Sequence, residues 1–317
     1  MSDILLEARN LVKEFPAGNG KKIHAVSDVS LKIYEGEALG LVGESGCGKS
    51  TLGRLLLRLI SPAKGEVYVR GECISSMHEK DFKKYRRQMQ IIFQDPYASL
   101  DPRMTVREII AEPLRTYHVC GSKKEMTEKV LELMSDVGVP GEFLYRYPHQ
   151  FSGGQRQRIG IARAIAMDPA LVVCDEPVSA LDVSVQNQIL NLLKKLQKER
   201  GLAYLFISHD LSVIRHISDR VCVMFLGKIC EMGPVKEIYE NPLHPYTKFL
   251  LDAIPLPDPH RRDRPVELLT GEIPSPSDPP GGCRFHTRCP YAVKRCETEE
   301  PVLKETQGRE VACHLRN

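Results

Sequence analysis

Ala38-Leu39-Gly40-Leu41-Val42 runs into Gly43-Glu44-Ser45-Gly46-Cys47-Gly48-Lys49-Ser50, and the reading of these residues decides the fold. The first five form a short apolar run, as a buried strand requires, and Lys49 to Leu59 has helical patterning. Between them the spacing G-x-x-x-x-G-K-S predicts a loop whose glycines let consecutive backbone N–H groups turn inward. The helix that follows adds the positive end of its dipole, so loop and helix together cradle polyphosphate. Lys49 then reaches the outer phosphates, and Ser50, with Thr51 beside it, offers a hydroxyl to Mg²⁺. A glycine-rich turn without a ligand is the bland alternative, and the complete match between strand and helix disfavours it.

Outward from this loop, strand-like and helical runs alternate. Leu171 to Cys174 is a buried strand, Val183 to Arg200 carries apolar residues at helical spacing, and Leu202 to Ile207 and Arg220 to Phe225 are further strands. Such alternation predicts an α/β core with a mainly parallel sheet, and the interval from about Leu100 to Tyr147 reads as a helical insertion. Asp175 closes its strand 126 positions after Lys49, where a carboxylate can hold Mg²⁺ through water. Glu176 follows, aimed elsewhere and suited to polarising an attacking water. Phe151-Ser152-Gly153-Gly154-Gln155 precedes a helix over Arg156 to Met167, with Ser152 as its cap. It supplies a second helix start open to an anion.

Taken together, these segments resemble the nucleotide-binding subunit of ATP-binding cassette (ABC) transporters over about Leu5 to Ala253. The resemblance makes Gly43 to Ser50 the Walker A loop, Gln94 the Q-loop glutamine, Phe151 to Gln155 the signature motif and Leu171 to Glu176 Walker B. It makes Ser179-Ala180-Leu181-Asp182 the D-loop and His209, within Ile207-Ser208-His209-Asp210, the switch histidine. The catalytic set it implies is Glu176, His209 and Gln94. It further implies a head-to-tail pair of ATPase subunits, each ATP held between one chain's Walker A and the other's Ser152, Gly153 and Gly154. Phe15 is the candidate to stack on adenine, with a core phenylalanine as its alternative. Phe151 stands where the family most often has leucine, an apolar contact rather than a phosphate donor.

The tail narrows the resemblance. Asn241-Pro242-Leu243-His244-Pro245-Tyr246-Thr247, a proline-rich stretch and terminal cysteines are similar to the ATPase subunits of bacterial dipeptide and oligopeptide importers, with nickel-chelate importers as close relatives. His244 itself is expected to be a turn residue without a chemical role. Thirteen of the 22 prolines lie from Pro234 to Pro301, so 254–282 is expected to be an extended linker between an ATPase domain over 1–253 (helical subdomain about 98–165) and a module over 283–317.

Cys283, Cys289, Cys296 and Cys313 crowd that module at C-x5-C, C-x6-C and C-x16-C spacing. Without a recognisable secretory leader, four clustered thiols point to a metal site rather than disulfides. The spacing alone leaves Zn²⁺ and a [4Fe–4S] cluster open. The importer resemblance, some of whose members carry such a cluster here, turns the expectation toward [4Fe–4S] in a structural role. Cys47, Cys73, Cys120, Cys174, Cys222 and Cys230, scattered singly, are expected to be small buried hydrophobes.

Composition bounds the rest. A formal net charge of +3 in 317 residues argues against a protein that coats nucleic acid, and Lys83-Lys84-Tyr85-Arg86-Arg87 reads as a solvated helix face. No apolar run approaches the roughly 18 residues a membrane span needs. The expectation is therefore an ATP-hydrolysing subunit at the cytoplasmic face of the membrane. It docks on two permease subunits, pairs with a second ABC ATPase rather than itself, and serves an extracytoplasmic peptide-binding protein indirectly. The competing class, a soluble cassette ATPase of translation or DNA repair, usually carries two cassettes or a coiled-coil insertion, and neither pattern is visible. A catalytically dead regulator is disfavoured because every candidate catalytic residue is present.

Overall fold

The computed structural model describes residues 3–17, 20–254, 272 and 274–316. Strands β1 (Ile4–Pro16) and β2 (Lys22–Tyr34) lead into β3 (Ala38–Val42) and helix α1 (Lys49–Leu56). β4 (Lys64–Val69), β5 (Glu72–Cys73), α2 (Glu79–Gln88) and β6 (Met89–Ile92) follow. Three helices come next: α3 (Val106–Thr116), α4 (Lys123–Asp136) and α5 (Gly153–Ile165). Then β7 (Leu171–Asp175), α6 (Val183–Arg200), β8 (Ala203–Ile207), α7 (Leu211–Ile217) and β9 (Arg220–Phe225) alternate. β10 (Lys228–Pro234), α8 (Val235–Glu240), α9 (Pro245–Asp252), α10 (Lys294–Thr298), β11 (Lys304–Thr306) and β12 (Arg309–Val311) end the described chain. Most of the linker expected over 254–282 lies outside the described residues.

Two compact units share these elements. One gathers Leu6–Ile33, Glu37–Ser76 and Phe206–Asn317. In it β2, β1, β4 and β5 form an antiparallel sheet, which the sequence reading did not anticipate. Beside this sheet β3 runs parallel to β9 with Leu41 opposite Cys222. β9 is antiparallel to β10, β10 to β12, and β12 to β11. All five β3 residues are buried, as are Leu52, Leu55 and Leu56 of α1, so strand and helix are anchored on either side of the glycine loop.

The other unit gathers Met1–Leu5, Tyr34–Gly36 and Met77–Leu205. Here β6 runs parallel to β7, with Ile91 opposite Val173. Helices α3, α4 and α5 pack on one another through Ile109, Ile110, Leu114, Val130, Leu133, Met134 and Ile159, all buried. Thr105 caps α3 in a reciprocal box with Glu108, which satisfies orphan N–H groups at the helix start. The interval read as a helical insertion is thus helical in fact. Cys47, Cys174, Cys222 and Cys230 are buried, whereas Cys73 and Cys120 are half-exposed. Burial pushes the Cys222 thiol up to about 12, as an inert structural cysteine requires.

In the first unit the chain's end is tied to its middle by buried charge. Arg309 of β12 and Glu231 of β10 are both fully buried and 3.7 Å apart. The Glu231 carboxylate also accepts the N–H groups of Leu243 and His244 at 2.9 Å each. Arg309 Nη1 donates to the Glu237 carbonyl at 2.7 Å. Removing either partner would strand a desolvated charge, so this network holds β12 to the segment leading into α9.

His244 corrects the expectation of a roleless turn residue. It is buried, and its Nδ1 accepts the Tyr246 N–H at 3.1 Å, capping α9 where Pro245 sits in the first turn. Burial lowers its pKa from 6.5 to about 4. As pH falls below about 6.5 the unfolded chain therefore takes up a proton that the folded chain refuses. Stability is full above that pH and declines toward pH 4 by up to about 1.4 kcal/mol per unit. Thermal melts should accordingly show Tm falling from pH 7 to pH 5. In His244→Asn, which keeps an oxygen to cap Tyr246, that fall should be visibly shallower.

Candidate nucleotide site

Each end of the glycine loop is shaped by a backbone oxygen. At Gly48 (φ +105°) a Cβ would stand 2.0 Å from the Ala25 carbonyl oxygen, and at Gly43 (φ +154°) 2.0 Å from that of Met224. No side chain fits at either point, and Gly48 adopts a left-handed conformation as the residue that opens α1. A turn bond from Cys47 N–H to the Glu44 carbonyl (3.3 Å) and a bond from Gly227 N–H to the Cys47 carbonyl (2.8 Å) complete the cradle. Ser45 and Gly46 are exposed, whereas Cys47 is buried with its thiol pushed up by burial. Ser50 and Thr51, in the first turn of α1, are half-buried.

Lys49 is buried, and its ammonium is spent on the loop's own carbonyls, Gly43 O at 2.8 Å and Glu44 O at 3.0 Å. A triphosphate must therefore compete for it. Glu44 is held at three points. Its carbonyl meets Lys49, its N–H donates to the Tyr246 hydroxyl at 3.0 Å, and both carboxylate oxygens accept from Arg288 Nη1 at 3.0 Å. Sequence reasoning missed Tyr246 and Arg288. Tyr246 at least lies in the quoted Asn241–Thr247 stretch, but nothing in the sequence points from position 288 to position 44.

Phe15, the candidate for adenine stacking, lies at the end of β1 with 36% of its surface exposed, and Lys13 Nζ sits 5.3 Å over its ring. His209, in the same unit as the glycine loop, is exposed just before Asp210. Asp210 caps α7 by accepting the Ser212 N–H at 2.7 Å.

The second unit brings another group together. Asp175 is buried at the end of β7, and Glu176 takes a left-handed φ of +47°, which turns the chain sharply away from the strand. Glu176 O accepts the Ser179 N–H and hydroxyl, fixing that turn. Gln94 Nε2 donates to Glu176 Oε2 at 2.9 Å, so the Q-loop amide holds the carboxylate as an acceptor.

At α5, Ser152 caps the helix in a reciprocal box with Gln155 (3.1 and 3.4 Å). The Gly153 and Gly154 N–H groups, in the first turn, have no intrahelical acceptor and are the donors available to an anion. Phe151 is buried edge-on to Phe143 at 5.7 Å, so it anchors the motif in apolar packing. The D-loop touches this motif: Leu181 Cδ2 lies 3.3 Å from where a Cβ on Gly153 would sit. Ser179 and Ala180 are exposed, and Asp182 caps α6 through the Val185 N–H at 3.0 Å.

The expected metal centre is not closed. Among the described residues no three His, Cys, Asp or Glu side chains are gathered closely enough to hold a metal ion. Burial lifts Cys283 to about 11, and its neighbours Cys296, Cys313 and Cys289 push the same way. The donors nonetheless suit iron in kind. All four thiols are free of disulfides. Cys283, Cys289 and Cys313 receive backbone N–H groups from Phe285, Tyr291 and Leu315, bonds that favour thiolate.

Comparison with known proteins agrees with this geometry. Residues 26–179 match the model of the ABC transporter family, and residues 230–296 match the oligopeptide/dipeptide transporter C-terminal region. The oligopeptide transport ATP-binding protein OppF of Salmonella typhimurium is 50% identical over 98% of this chain and 96% of its own. AppF of Bacillus subtilis, another oligopeptide transport ATP-binding protein, is 51% identical over 99% and 98%. Among solved structures, the dimeric post-hydrolysis ATP-binding cassette MJ0796 bound to ADP and Pi is similar with a TM-score of 0.67. It is 32% identical and covers 73% of this chain and 99% of that one.

The carbonyl contact at Gly48 yields a sharp test. Gly48→Ala should abolish binding of a non-hydrolysable ATP analogue by titration while the far-ultraviolet circular dichroism stays that of the parent. The added methyl displaces the loop backbone and leaves both sheets intact.

Proposed function

Because the chain belongs to the oligopeptide transport ATP-binding proteins of the ABC transporter family, we propose that its ATP hydrolysis drives peptide import through a permease complex. The observation that carries this reading is the coexistence of a complete glycine phosphate loop with the Gln94–Glu176 pair and a capped Ser152-Gly153-Gly154 helix start. The similarity to oligopeptide transport ATP-binding proteins favours oligopeptides over nickel chelates as cargo and transport over translation or DNA repair.

The roles follow from chemistry. The loop N–H groups other than those of Glu44 and Cys47, which are bonded within the protein, and the freed ammonium of Lys49 bind phosphate oxygens. Ser50, with Thr51 beside it, and Asp175 are the hard oxygen donors that suit Mg²⁺. Glu176, oriented by Gln94, accepts a proton from the attacking water, and His209 meets the outer phosphate. Phe15 offers a π-face to adenine. Ser152, Gly153 and Gly154 cap the nucleotide of a partner ATPase, with Phe151 and Gln155 holding that helix start and the D-loop, Ser179 to Asp182, beside it. A dimeric cassette among the similar structures supports pairing, and a sister ATPase is the preferred partner.

The ATPase domain spans 1–253, with its helical subdomain at about 98–165 facing two permease subunits. An extracytoplasmic peptide-binding protein supplies them from the other side. Among the described residues no helix is long and apolar enough to cross a membrane. The chain attaches peripherally at the cytoplasmic face. Cys283, Cys289, Cys296 and Cys313 are the ligands of a structural [4Fe–4S] cluster, which would draw them together as thiolates.

Two measurements test these assignments. Glu176→Gln should bind nucleotide like the parent yet hydrolyse ATP roughly 10²- to 10⁴-fold more slowly, because only proton acceptance is lost. Turnover at the parental rate would remove Glu176 from the mechanism. Protein purified without oxygen should be brown with broad absorption near about 400 nm and hold iron, as thiolate-bound iron requires. A colourless preparation carrying one zinc per chain would overturn the cluster.

A further inference from the structure

Arg288 has no part in the nucleotide chemistry so far derived, yet it reaches the phosphate loop from the far end of the chain. Its side chain is 7% exposed, and Nη1 lies 3.0 Å from each carboxylate oxygen of Glu44, itself 21% exposed. Among the described residues its buried Nε finds no acceptor. A guanidinium is buried at considerable cost unless a charge answers it, and Glu44 is the carboxylate that answers this one. The segment carrying it is firmly seated. Phe285 is buried against Phe225, Tyr246, His244 and Phe249 with centroids 5.3 to 6.3 Å apart. Arg284 bonds the Leu226 carbonyl and the Ser27 hydroxyl. Cys283 and Cys289 bracket the whole segment.

A loop that binds a polyanion through its N–H groups here carries a carboxylate of its own. We infer that Arg288 is a positioning residue that neutralises and orients Glu44, so that the cysteine module sets the affinity of the phosphate loop for triphosphate. With Arg288 in place the Glu44 charge is spent inside the protein. Without it the carboxylate is left unanswered beside the bound phosphates and repels them. The module thereby reports its own folding at the ATP site across 244 positions of sequence. This inference rests on the nucleotide reading given above.

The test is titration of the full chain with a non-hydrolysable ATP analogue, alongside steady-state ATPase kinetics. Arg288→Ala should weaken analogue binding about tenfold and raise KM, while kcat at saturating ATP changes less than about twofold. Adding Glu44→Gln to Arg288→Ala should restore affinity to within about threefold of the parent, because the repelling charge is gone. Arg288→Lys should recover part of the loss. A scaffold role without electrostatics predicts no rescue by Glu44→Gln, and that result overturns the inference, as does parental affinity in Arg288→Ala. Should Arg288→Ala fail to fold, Glu44→Gln alone decides: binding at least as tight as the parent supports the inference, and weaker binding overturns it. If the parent itself binds no analogue, the nucleotide reading fails and not merely this one.

Discussion

Two carbonyl oxygens, those of Ala25 and Met224, press so closely on Gly48 and Gly43 that the phosphate loop has room for backbone alone. That steric constraint is the foundation of the molecule's chemistry. It forces consecutive peptide groups into a curve that side chains would prevent, and a curve of N–H groups is what a polyphosphate recognises. Each of its walls has a separate origin: Ala25 belongs to β2 and Met224 to β9, while β3 delivers the chain between them. The loop is thus set by strands remote in sequence, although its own residues are contiguous.

Charge placement distinguishes the two units. At the glycine loop the lone acidic side chain, Glu44, is answered by an arginine from the tail. At the end of β7 the Glu176 carboxylate accepts instead from the neutral Gln94 amide. A cation in place of Gln94 would stabilise the carboxylate and blunt its basicity. The buried Arg309–Glu231 pair does different work, since it is remote from both functions in role and fastens the tail to the strand next to β9. Breaking that fastening would loosen the segment through which Tyr246 touches the loop.

Much of the site was legible because its signals are local. The strand before Gly43, the capped helix after Ser152, the buried run before Asp175 and the periodic helix over Val183–Arg200 each depend on residues within a dozen positions of one another. The antiparallel sheet of β1, β2, β4 and β5 was not legible. Its register pairs Leu6 with Val69, and no periodicity in either stretch encodes the other. His244 was misjudged for a related reason. Flanking prolines announce a turn but say nothing of burial, and burial is what makes its imidazole a neutral helix cap.

By itself the sequence determined the phosphate loop, the helix starts able to bind anions, the carboxylates that follow β7 and the thiols of the tail. Each is a matter of residue type at short spacing. Only the tertiary structure decided that Glu176 is held by Gln94, that Glu44 is clasped by Tyr246 and Arg288, and that Glu231 and Arg309 meet in the dark. It also decided that the tail's cysteines stand near one another without forming a cage. The reason is that a hydrogen bond or ion pair between side chains 82 or 244 positions apart depends on how the intervening chain folds, and a short motif carries no record of that path.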